Sequence, residues 1–197
     1  PVPVAMLLHG VTQGVANGSR AWFLRAHVRW TVLPPYLAGT AVALGAFGLL
    51  TFVPDRGLVL LLVGAFPWLG RLLPAAGRLD VGRPGTAFAC GVVVTAAQLL
   101  AGASGPRLDV FFRRSPLTRT AVVATTAVTQ TLGHGAKLVY YGAVIGLAGA
   151  AFEGTAAPPW LFAAVIPVAL LGTRIGTRLL DRLEEATFRR ASGRIVL

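Results

Sequence analysis

Charge is scarce in this chain, and acid is scarcest. Seven Asp and Glu stand against 18 Lys and Arg in 197 residues, and only 13% of the side chains are charged. A water-soluble domain of this length needs more polar surface than that to cover its core, which sets soluble globules aside. The one cysteine, Cys90, lies in an apolar run, so an internal disulfide is excluded and a reactive thiolate has no basic neighbour. Three histidines make no zinc-type cluster, and neither a phosphate-binding glycine loop nor a nucleophile elbow occurs. No enzyme and no cofactor are expected. What fills the sequence is apolar: 55% hydrophobic residues, with a mean hydropathy of +0.70.

Apolar runs at 31–53, 57–76, 84–106, 138–152 and 158–173 reach or approach the roughly 20 residues that cross a hydrocarbon core. The 24 glycines suit helices that pack closely in lipid. The fold class expected is all-α, a polytopic helical membrane protein. An excess of 11 positive charges in a soluble protein would suggest nucleic acid. Here the arginines sit in short connections beside apolar runs, where they set topology and meet anionic lipid headgroups, so the bilayer is the partner and nucleic acid is not.

Counting Lys and Arg gives the sides. Residues 20–29 hold Arg20, Arg25 and Arg29, 54–57 only Arg56, and 71–83 hold Arg71, Arg78 and Arg83. That alternation reads in, out, in. The connection 107–119 should then be outside, yet it carries Arg107, Arg113, Arg114 and Arg119. A re-entrant hairpin over 84–106, turning near Gln98 to Pro106 with Gly102 and Gly105 to permit the turn, resolves the conflict. Residues 120–152 then run outward to the Glu153 loop, and 158–176 return to the Arg-rich tail at 174–194.

Two patterns recur along the chain. Gln13-x-x-x-Asn17-x-x-Arg20 returns 117 residues later as Gln130-x-x-x-His134-x-x-Lys137, and Pro34-Pro35-Tyr36-Leu37 returns as Pro158-Pro159-Trp160-Leu161. With the first copy running inward and the second outward, the repeats are inverted: 1–83, incomplete at its start, and 84–197, incomplete at its end. Together they form one transmembrane domain. Inverted repeats characterise secondary transporters, which bind substrate near the midplane, often at broken helices.

Each polar triplet is spaced i, i+4, i+7 and occupies one helical face. Seventeen residues separate Lys137 from Arg119 and 15 separate it from Glu153, so it lies deep in a mostly apolar stretch. An intramembrane cation reads as functional and calls for a partner. Asp55, Asp80, Asp109, Glu153, Asp181, Glu184 and Glu185 all lie in connections. A transported anion supplies the missing partner, held by Gln13, Asn17 and Arg20 from one half and Gln130, His134 and Lys137 from the other. Backbone N–H groups near Gly102 to Pro106 add donors, and Gln98 lies at the turn. His134, between Gly133 and Gly135, marks a helix break and is a candidate for proton coupling. The alternative is that Arg20 and Lys137 snorkel while the amides and His134 bond between helices. His9 and His27 carry no specific signal.

Glu184-Glu185-x-x-x-Arg189 matches a signature of intramembrane CAAX proteases, but the histidine motifs such enzymes need do not follow it. A closer likeness lies elsewhere. Leu8-His9-Gly10-x-x-Gln13-x-x-x-Asn17-x-x-Arg20, Gly102-x-x-Gly105-Pro106 before Phe111-Phe112, Arg119 to Ala127 with Gln130 and Lys137-Leu-x-x-Tyr141, and Gly172-x-x-x-Gly176-x-Arg178-Leu179 follow one another along nearly the whole chain. In order and spacing they resemble the sulfite exporter TauE/SafE family. That resemblance implies a multi-pass permease of a bacterial-type inner membrane, moving sulfite, sulfoacetate or related organosulfur anions. It also implies a piece lacking the family's first and last helices. The competing expectation is a membrane scaffold or accessory subunit with no transport of its own.

Overall fold

The computed structural model describes residues 2–71, 79–102, 111–112, 115–145 and 158–182. Every regular element among them is helical. In chain order these are α1 (Val2–Phe23), α2 (Leu33–Leu50), α3 (Arg56–Arg71), α4 (Pro84–Ala101), α5 (Arg119–Val139) and α6 (Pro159–Arg182). Single 3-10 turns at Arg25–His27 and Trp30–Val32 link α1 to α2, and a π-helical turn, Tyr140–Val144, continues α5. Prolines open α2 and α4, where the missing N–H has no helical partner to lose. Asp55 caps α3 by accepting from Leu58 N–H at 2.9 Å, and Thr118 caps α5 by accepting from Ala121 N–H at 3.3 Å.

Two helices are long and apolar enough to cross a membrane, Trp30–Leu50 and Pro84–Ala101, with shorter apolar stretches at Arg56–Ala65 and Trp160–Gly176. The core is mainly hydrophobic, around Val32, Tyr36 and Val94 in one cluster and Leu99, Tyr140 and Tyr141 in another, but apolar residues also face outward and several polar ones inward. Leu49 is 90% exposed, Val168 69% and Leu61 66%, while Asn17, Thr95, Gln98, Thr125, His134 and Lys137 are buried.

Glycine sets the closest helix contact. At Gly39 an added Cβ would collide with the Phe88 carbonyl oxygen, and at Gly91 with that of Tyr36, so α2 and α4 meet backbone to backbone. Thr95 Oγ1 donates to Thr40 Oγ1 at 3.1 Å further along the same seam. The order of these contacts makes α2 and α4 parallel. α5 runs with them: Arg29 N–H donates to Thr125 Oγ1 at 3.0 Å, Tyr36 Oη to the Thr129 carbonyl at 2.9 Å and Tyr140 Oη to the Phe52 carbonyl at 2.7 Å. α1 runs the other way. Gly10 faces Lys137 and Leu138, Gly14 faces His134, and Gly18 faces Thr131.

Three parallel helices, α2, α4 and α5, need two returns, and α3 supplies one. The other is complete by Phe111, whose carbonyl accepts from Val81 N–H at 3.0 Å, beside the start of α4. Arg29, Arg83 and Arg119 therefore gather at one end of the bundle, and Arg56 stands at the other. The side demanded by the charge map for 107–119 is thus occupied at Phe111 and Thr118.

Two details differ from the sequence reading. Gln98 lies inside an unbroken α4, and the turn begins only at Gly102, in the left-handed region at φ +73°; Gly105 and Pro106 lie outside the described residues. α5 also runs unbroken through Gly133-His134-Gly135. Its irregularity comes later, at Tyr140–Val144. Glycine 133 serves packing instead, since a Cβ there would come within 2.7 Å of Gln98 Nε2. At Gly102 a Cβ would meet both the left-handed backbone and Met6 Sδ at 2.8 Å. Gly102→Ala should therefore cost about 1–2 kcal/mol, read as a lower unfolding midpoint in detergent; an unchanged midpoint would contradict this account of the α4 terminus.

Candidate functional site

The most polar spot in the interior is built where α1, α5 and the end of α4 meet. Lys137 is fully buried on α5. Its Nζ lies 2.7 Å from His9 Nδ1 on α1 and donates to the Gly102 carbonyl at 3.2 Å. Asp55 and Asp80 do not pair with it, since they are spent on backbone N–H groups at Leu58 and Gly82. His134, one turn before Lys137, sets its ring edge-on to His9 with centroids 5.5 Å apart. The His134 Nδ1 is buried and bonded to no described group.

Local sequence explains the assembly. Gly10 has no side chain to hold α5 away, and an added Cβ would come within 2.8 Å of Leu138 and 3.3 Å of Lys137 Cε. The left-handed turn at Gly102 ends α4 and frees its carbonyl from the helical ladder, so it meets the ammonium. Burying an ammonium away from water costs about 3 kcal/mol or more. The two bonds offset that cost without neutralising the charge. Two positive charges 2.7 Å apart repel by roughly 6 kcal/mol at an effective dielectric of about 20, so the pair carries one positive charge and not two.

A cavity of about 640 Å³ opens beside this cluster. Met6, Val59 and Leu60 give it apolar walls, and His9, Gly102 and Arg56 line it too. His9 therefore stands between Lys137 and an opening at the Arg56 end of the bundle. Among the described residues no group of three or more His, Cys, Asp or Glu could hold a metal ion.

Of the residues singled out from sequence, the structure gathers Gly102, His134 and Lys137, with Gln98 buried against Gly133 next to them. Gly102 enters as an acceptor through its carbonyl, not as an N–H donor; its own N–H is used on the Gln98 carbonyl. Asn17 is buried and donates weakly to Gln13 Oε1 within α1, at 3.5 Å. Gln130 lies on α5 next to Thr131, which faces Gly18. Arg20 does not reach Lys137. It lies three turns along α1 from His9, about 16 Å at 1.5 Å per residue, in the last turn before Phe23. Gly105, Glu184, Glu185 and Arg189 are outside the described residues. The residue that sequence reasoning passed over is His9. Its spacing of four from Gln13 and eight from Asn17 extends the same polar face, and that is the signal which points to it.

If His9 is the acceptor for Lys137, His9→Phe should destabilise the protein by about 1–3 kcal/mol, because the ammonium stays buried with one bond fewer. In a double-mutant cycle with Lys137→Met the two changes should fall short of additivity by about 1 kcal/mol or more; strict additivity in detergent unfolding would contradict the contact.

No family model matches the chain, and neither does any curated protein or solved structure.

Proposed function

We propose that this chain belongs to a multi-pass membrane carrier for small anions, of the sulfite exporter type its motifs resemble, working by alternating access in a bacterial-type inner membrane. The observation that carries the reading is Lys137, a fully buried cation whose partners among the described residues are a carbonyl and an imidazole and not a carboxylate. Such a site has an unbalanced charge at its centre, and a mobile anion balances it. The cavity beside His9 gives that anion a way in, with Arg56 at its wall. Sulfite, sulfoacetate and related oxyanions present several acceptor oxygens to Lys137, His9 and the unbonded nitrogen of His134.

Three further features support the carrier reading. Large apolar side chains such as Leu49, Val168 and Leu61 cover the outside of the bundle, and Lys137, His134 and Gln98 are buried within it. Arginines collect at one end, in keeping with a cytoplasmic side. The repeated triplets lie on α1 and α5, which pack antiparallel, the relation that inverted repeats require. The contact of His9 with Lys137 makes this pair, together with His134, the place where anion movement would couple to a proton.

A membrane scaffold without transport is the second reading. Its support is that both bonds of Lys137 are internal and tie three helices together. The full chain in proteoliposomes separates the two. A carrier moves sulfite, sulfoacetate or a simple sulfonate saturably, and those anions raise its unfolding temperature. A scaffold does neither, and that result would overturn the proposal.

A further inference from the structure

A second concavity, of about 300 Å³, lies at the arginine end between the last turns of α1 and the first half of α5. Its floor is Gly18, Val128 and Leu132, with Thr131 between them. The floor is apolar but for Thr131, whose hydroxyl hydrogen is already given to the Ala127 carbonyl at 2.7 Å. Whatever lies there must be apolar. The rim has the opposite character, for it carries Trp22, Trp30 and Arg25. Trp22 is 66% exposed and Trp30 59%, large aromatic surfaces of the kind that sit at headgroup level. Arg25 is held in place with its guanidinium 4.7 Å above the Trp22 ring and Nη1 donating to the Trp22 carbonyl at 3.0 Å. That is the one hydrogen bond it makes among the described residues, so most of its fork faces outward.

An apolar trough ending at a fixed guanidinium between two tryptophans matches a molecule with a hydrocarbon tail and an anionic head. We infer that this groove is a binding site for one anionic phospholipid, with an acyl chain over Gly18 and Leu132 and its phosphate on Arg25. The inference rests on the chain lying in a bilayer and not on anion transport, so each can fail alone. Charge complementarity selects the lipid: the phosphate of phosphatidylglycerol keeps its net charge, whereas choline cancels that of phosphatidylcholine.

The test is thermal unfolding of the full chain in a neutral detergent with added short-chain phosphatidylglycerol, phosphatidylcholine or inorganic phosphate. Phosphatidylglycerol should raise the midpoint by several degrees, and the other two much less. Arg25→Gln, at an exposed position, should weaken the phosphatidylglycerol response about tenfold or more. Gly18→Leu should remove it by filling the floor, whereas Gly18→Ala should keep it, since a Cβ there meets Thr131 Cγ2 only at an ordinary 3.6 Å. Equal responses to the two lipids, a full response to phosphate alone, or an unaltered response in Arg25→Gln would overturn the site.

Discussion

Replacing Lys137 with methionine is expected to lower saturable anion flux through the full protein by about a hundredfold while leaving the protein folded and inserted. A charge-assisted bond to a desolvated oxyanion is worth roughly 3 kcal/mol, and about 1.4 kcal/mol is a factor of ten. Methionine keeps the length and much of the volume of lysine. It strands the Gly102 carbonyl and His9 Nδ1, each at about 1–2 kcal/mol, but it also removes the roughly 3 kcal/mol cost of the buried ammonium. These terms nearly cancel, so stability should move little. A scaffold that uses Lys137 only as a tie has no flux to lose. Folded Lys137→Met protein with undiminished flux would remove Lys137 from the anion path.

The second large effect concerns the frame that holds the site. Gly39→Ala or Gly91→Ala should destabilise the bundle by about 2–4 kcal/mol, because the first atom of any side chain runs into a backbone carbonyl of the opposing helix. A carbonyl cannot swing aside as a side chain does. α2 and α4 must separate, which loosens the Thr95 to Thr40 bond and the seat of the fully buried Tyr36. Gly45 and Gly48 in α2 supply the control, since a Cβ there meets nothing within 4 Å. Alanine at those positions should be neutral or stabilising by up to about 1 kcal/mol through helix propensity. Equal midpoints for Gly39→Ala and Gly45→Ala would contradict the close parallel pairing.

Much of this arrangement is legible in the sequence because long apolar runs and the placing of charge follow simple rules. Long apolar runs with few charges pointed to α2 and α4, and the arginine count placed residues 107–119 beside 71–83, where Phe111 and Val81 are bonded. Lys137 stood out as a cation without an acid at its depth. The partners of Lys137 were another matter. Gly102 acts through a carbonyl, and a backbone group leaves no mark in composition. His9 sits 128 residues from Lys137, and only the antiparallel packing of α1 on α5 brings them together.

The same packing explains why Arg20 and Lys137 stay apart although they occupy matched positions in the two triplets. In an antiparallel pair, residues a fixed number of positions apart in sequence lie opposite each other at only one point along the seam. Here that is near the contact of Gly14 with His134 and of Gly18 with Thr131. Residues beyond it diverge toward opposite ends, Arg20 toward the arginines and Lys137 toward the Arg56 cavity. A repeat read as a list of equivalent residues therefore overstates what meets in space.

The central claim is that an oxyanion occupies the place beside Lys137. Selenite has the shape and charge of sulfite and scatters X-rays anomalously, so its position in crystals of the full protein reads that claim directly. The account predicts an anomalous peak against His9, on the Lys137 side of the cavity bounded by α1, α3 and Gly102, and its loss in Lys137→Met. A peak confined to the surface arginines, with Lys137 still held only by His9 and the Gly102 carbonyl, would contradict it.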